Sequence, residues 1–145
     1  GKRSVKKDQL FLSTIAPDAA EEARRHGLGL EIAEYCTAWN MDEQFKSTHA
    51  AVTKELAGVG RRLLHAPFNE LFPCAVDPKA RELAALRYRQ AIALARRYDA
   101  RKIVRRAGWQ SSTGPSDWCS TADTCPMCTI PAGIRSSPLF SGRIF

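Results

Sequence analysis

Short apolar runs and segments of helical spacing take turns along most of this chain. Leu10-Phe11-Leu12-Ser13-Thr14-Ile15 is a compact apolar run of the kind a buried strand uses. Pro17 and Asp18 then open a short helix through Ala19, Ala20, Ala23 and Arg24, and Gly27 stops it. A second strand is expected over 28–35, where apolar residues flank a lone charge at Glu31. The stretch from Asp42 to Leu56 has Phe45, Val52 and Leu56 near one helical face and ends at Gly58 and Gly60. Arg62-Leu63-Leu64-His65-Ala66 reads as the third strand. Beyond a loop over 67–76, Asp77 is a natural N-cap with Pro78 at the first helical position. Ala80, Leu83, Ala84, Tyr88, Ala91, Ile92 and Ala95 follow at helical spacing, and a fourth strand is expected over 102–106.

Strand, helix, strand, helix at this pace predicts an α/β fold of right-handed βαβ units with a parallel sheet. About four such units without a glycine-rich phosphate fingerprint favour part of a (β/α)8 TIM barrel over a Rossmann sheet. A whole barrel takes roughly 250 residues, so the expectation is a half barrel over residues 10–109. Residues 1–9 would be a basic N-terminal tail and 110–145 an irregular C-terminal one. An open half barrel also leaves unpaired edge strands.

Composition changes this picture little. The chain has 145 residues, 44% of them hydrophobic, which is the content of a globular domain. No apolar run is long enough to span a membrane, and the basic start is not followed by a signal-like core, so a cytoplasmic protein without a membrane partner is expected. A net charge of +7 raises nucleic acid as a partner. The basic doublets Arg24-Arg25, Arg61-Arg62 and Arg96-Arg97 lie among acids such as Glu21, Glu22 and Glu82, however, and read as solvated helix faces rather than a binding stripe. Cys36, Cys74, Cys119, Cys125 and Cys128 are odd in number and scattered, which argues against a disulfide framework. Cys125-Pro126-Met127-Cys128 is half a zinc knuckle, with only Cys119 nearby and no histidine in the region.

Parallel barrels gather their chemistry at the C-terminal ends of the strands. Polar residues emerge from apolar runs there at Glu31 and at His65, which is followed by Ala66-Pro67-Phe68-Asn69-Glu70. A third candidate segment is Arg105-Arg106-Ala107-Gly108-Trp109, after the fourth strand. Carboxylate and imidazole converging at one rim suit a divalent metal that polarises a carbonyl or hydroxyl oxygen. The plain alternatives are a hydrogen-bonded structural His65, a Glu31 paired with an arginine, and Trp39 and Trp109 as core aromatics.

Four segments carry a resemblance: Phe11-Leu12-Ser13-Thr14, Gly29-Leu30-Glu31-Ile32, Leu64-His65-Ala66-Pro67-Phe68, and the Asp77-Pro78 helix with Tyr88 and Ala91. Together they resemble the xylose isomerase-like TIM-barrel superfamily, which includes sugar phosphate isomerases/epimerases and type-2 AP endonucleases. The resemblance implies a metal-dependent enzyme acting on a small sugar or sugar phosphate, with Mn, Mg, Co or Zn as cofactor. It implies Glu31 and His65 as catalytic residues, His65 as a metal ligand, and Trp39, Asn69 and Trp109 as substrate-binding residues. The family's companion histidine on strand four corresponds here to Arg106, which stays protonated and offers no lone pair to a metal. An inactive fragment is therefore expected; the alternatives are an AP endonuclease-like phosphodiesterase fragment and a non-catalytic binding fragment.

The tail has a further reading. Joining the last base of each codon to the first two of the next permits Val-Tyr-Tyr-Pro-Gly-Trp from residues 127–133 and Phe-Trp-Glu-Asp-Phe from 140–145. Both runs resemble barrel sequence, so residues 110–145 are expected to be an out-of-frame continuation; the alternative is a genuine disordered or cysteine-rich tail.

Overall fold

The computed structural model describes residues 4–105. It shows an α/β fold: a four-stranded, wholly parallel sheet with three α-helices. The strands are β1 (Phe11–Ser13), β2 (Gly29–Ile32), β3 (Arg62–His65) and β4 (Lys102–Val104). The helices are α1 (Ala19–His26), α2 (Phe45–Glu55) and α3 (Pro78–Arg97). The spatial order β1-β2-β3-β4 is the order in sequence. Right-handed crossovers between successive neighbours all pass over the same side of the sheet.

Burial shows which side that is. Leu30, Ile32 and Leu64 are fully buried and share the core with Ala19, Ala20 and Ala23 of α1, Val52 of α2, and Ala84, Tyr88, Ala91 and Ala95 of α3. Leu12 and Ile103 pack against the same cluster. Alanine at the contact positions lets helix backbones approach the strands, so the larger strand side chains fill the space between. Full burial of one Leu or Ile contributes about 1.5–3 kcal/mol. The alternate residues form the other face: Phe11 and Ser13, Gly29 and Glu31, Leu63 and His65, Lys102 and Val104. No helix among the described residues covers it.

Several boundaries have local causes. Asp77 Oδ1 accepts the Lys79 amide at 2.8 Å with Pro78 at the first turn, so α3 starts where its sequence signal stands. Gly27 ends α1 in the left-handed region at φ 66°, and the Leu28 amide returns to the Ala23 carbonyl at 2.9 Å. Gly29 has a different reason for lacking a side chain. The Phe11 ring lies over it, and a Cβ there would run into Phe11 Cδ1 and Cε1.

Three expectations are corrected. The second strand does not run to Tyr35; it ends at Ile32, and Glu34–Cys36 forms a 3-10 turn that tucks Tyr35 into the core. Helix α2 begins at Phe45 rather than Asp42, whose carboxylate instead pairs with Arg87 of α3 at 2.7 Å. Arg61 and Arg62 are not on a helix face. Arg62 opens β3, and its guanidinium donates to the carbonyls of Val59 (2.8 Å), Tyr98 (3.0 Å) and Leu56 (3.2 Å).

A common arrangement holds the N-terminal end of the sheet. Arg24 of α1 donates to Ala57 O, just beyond α2, at 2.9 Å. Arg61, after α2, donates in return to Gly27 O at the end of α1 at 2.5 Å. With Arg62 these guanidinia satisfy carbonyls at helix ends, where the helix dipole favours cations. Arg24, Arg61 and Arg62 are thus engaged by the chain's own backbone.

Candidate functional site

The C-terminal ends of β1, β2 and β3 carry the candidate site. Glu31 pairs in register with Leu63, so His65 lies on the adjacent strand, on the same uncovered face, two residues nearer the C-terminal rim. From ordinary strand rise and spacing their backbones are about 8 Å apart. Both side chains are half-buried. The structure therefore brings these two sequence candidates together on one face.

His65 is oriented by its own loop. Its Nδ1 lies 2.9 Å from the Ala66 carbonyl oxygen, and the Phe68 ring meets it edge-on with centroids 5.0 Å apart. A carbonyl oxygen only accepts, so Nδ1 carries a proton, and the neutral tautomer compatible with this contact has its lone pair on Nε2. That is the tautomer a metal-binding or proton-accepting histidine needs. Alternation along β3 dictates this position, because the core-facing side chains Arg62 and Leu64 leave His65 to the opposite face.

Thr14, just after β1, ties the neighbouring rim together. Its hydroxyl accepts from the Ala33 amide at 3.1 Å and donates to Glu34 Oε2 at 2.7 Å, with the Glu31 carbonyl oxygen 3.2 Å away. The Glu34 carbonyl in turn accepts from Asn40 Nδ2 at 2.6 Å. Sequence reasoning missed Glu34 and Thr14. The available signal was the Glu31-x-x-Glu34 spacing across the end of a strand, hidden when the strand was extended to Tyr35. Cys36 belongs to this group: burial, and less strongly the Glu34 and Glu31 carboxylates, push its thiol above the ordinary value. It is thereby kept a neutral thiol rather than a nucleophilic thiolate.

The remaining candidates stand apart or outside. Trp39, on a short 3-10 turn after β2, is 58% exposed, and Asn69 is exposed in the β3–α3 loop. Arg106 and Trp109 lie outside the described residues, as do Cys119, Cys125, Cys128 and the whole out-of-frame tail. Among the described residues, no three His, Cys, Asp or Glu side chains come together as a metal-binding group. Glu31 and His65 supply two donors of suitable type, one short of the usual protein minimum for a catalytic metal. No helix of the described residues is long and apolar enough to cross a membrane.

Behind the sheet lies a second polar group that the sequence did not announce. Tyr98 OH is 2.5 Å from Tyr35 OH and 2.7 Å from His49 Nδ1, among the stacked rings of Phe45 and His49. Burial raises the Tyr35 hydroxyl above its usual range, reinforced by the Tyr98 hydrogen bond, and burial likewise raises Tyr98. This network fastens α2, α3 and the turn after β2 to one another. It lies on the helix side, away from Glu31 and His65.

Comparison of the chain with protein-family models, curated proteins and solved structures returned no match.

Proposed function

We propose that this chain is one half of a (β/α)8 barrel of the sugar isomerase/epimerase type, with the metal-dependent active site only partly present. The observation that carries the reading is the placement of Glu31 and His65. A singly wound parallel sheet puts a carboxylate and an imidazole on its uncovered face, on neighbouring strands and two residues out of register, at the strand ends where barrels do chemistry.

Within this reading His65 Nε2 is the metal ligand, and Glu31 carries a proton to or from the carbon beside the substrate carbonyl. The bound metal would polarise that carbonyl or hydroxyl oxygen. Thr14 holds Glu34 out of this exchange by donating to its carboxylate. Trp39 offers a stacking surface for a sugar ring and Asn69 a hydrogen-bonding amide. A small sugar or sugar phosphate is the substrate class, in a cytoplasmic setting. Two donors hold a divalent ion weakly, so the chain alone turns over no sugar. The phosphodiesterase alternative has the net charge of +7 in its favour but no DNA-reading motif in the sequence.

Calorimetric titration with Mn²⁺ tests this. The expected result is binding weaker than micromolar, lost in His65→Ala and reduced in Glu31→Gln. Binding unchanged by both substitutions would overturn the assignment.

A further inference from the structure

We infer that two copies of this chain close on each other across the uncovered face of the sheet, each supplying half of an eight-stranded barrel. The inference rests on the half-barrel reading and adds the partner that the site requires. Parallel sheets are almost always covered on both faces. Here helices cover one, while Phe11, Leu63 and Val104 lie on the other, Val104 at 38% exposure. The sheet also ends in two edges, the outer sides of β1 and β4, with no strand partner among the described residues.

The geometry of those edges selects the occupant. A single added strand would pair with one edge and leave the other open. A second copy, related by a two-fold axis along the strand direction, keeps every strand parallel and sets β4 of each copy beside β1 of the other. Both seams then close at once. The result has eight strands, the number at which side chains alone fill the interior. Glu31 and Lys102 lie in one row across this face with Leu63 between them, so each copy contributes charges of both signs. Closure would bring two Glu31–His65 pairs to one barrel mouth, giving four donors where one copy has two.

Sedimentation of the full chain at high micromolar concentration tests the inference. The expected mass is twice the 16.1 kDa chain. Val104→Glu places a charge on the enclosed face without crowding the monomer, and should halve the mass while leaving the far-ultraviolet circular dichroism unchanged. Leu86→Glu, on the exposed outer side of α3, should leave the dimer intact. A monomeric wild type overturns the inference, as does a dimer that survives Val104→Glu or dissociates with Leu86→Glu. A monomer whose β1 and β4 amides resist hydrogen exchange would assign the face to residues 106–145 instead, and also overturns it. The metal titration reports separately: a monomer that binds Mn²⁺ through His65 rejects the dimer and leaves the half-barrel site standing.

Discussion

Removing the Arg62 guanidinium should destabilise the fold more than removing any other arginine of the N-terminal rim. Arg62 reaches three carbonyls: Leu56 at the end of α2, Val59 in the following turn, and Tyr98 at the end of α3. A hydrogen bond to a charged group contributes about 1.5–3 kcal/mol when its partner is otherwise unsatisfied. The three bonds do not add in full, because Leu56 O also accepts the Val59 amide, and because the side chain is half-buried and water can reach some of the freed carbonyls. A loss of about 2–4 kcal/mol for Arg62→Met is the expected outcome. Arg24→Met removes one exposed bond to Ala57 O and should cost less than about 1 kcal/mol. Arg62→Lys keeps the charge but not the fork, and should recover under half the loss. Urea unfolding followed by circular dichroism gives these differences, with an unchanged slope confirming comparable native states. Equal losses for Arg62→Met and Arg24→Met would refute the capping argument.

Other consequences are as direct. Tyr98→Phe strands the buried Tyr35 hydroxyl and the His49 Nδ1, and chemical denaturation should show a loss of about 1–3 kcal/mol. Gly29→Ala forces the Phe11 ring off β2, costing about 1–3 kcal/mol, and Phe11→Ala in the same chain should recover part of that loss. Tyr35, Tyr88 and Tyr98 are all raised by burial, so their neutral forms are favoured in the fold. Their contribution is complete below the ordinary tyrosine value of about 10 and is lost as pH rises past it; an alkaline titration should show this decline, and Tyr35→Phe should flatten it. Because Cys36 is raised, alkylation mapped by mass spectrometry should modify the exposed Cys74 first and Cys36 only at higher pH.

The parts of the fold readable in the sequence are those fixed by local chemistry. Asp77-Pro78 starts α3 because a cap and a proline act through neighbouring backbone groups, and Gly27 ends α1 through its own left-handed conformation. The reading failed where a distant partner decides. Asp42 resembles a helix start but is drawn to Arg87. Tyr35 looks like a strand residue, yet its hydroxyl is claimed by Tyr98, sixty-three positions away. Arg61 and Arg62 look like a solvated doublet until the helix ends they cap are in place. For the site, alternation along each strand was enough to place Glu31 and His65 on one face. Glu34 and Thr14 required knowing that β1 and β2 are neighbours.

The central claim is that the chemistry of this chain belongs to the C-terminal rim around Glu31 and His65. Paramagnetic broadening of backbone amide signals by substoichiometric Mn²⁺ tests it most directly. The account predicts that the strongest broadening falls on Thr14, Ala33, His65, Ala66 and Phe68, and that it vanishes in His65→Ala. Gly27, Gly58 and Arg61, at the opposite end of the sheet, should keep their signals. Broadening centred on that opposite end, or on the acids Glu21 and Glu22 of α1, would contradict it.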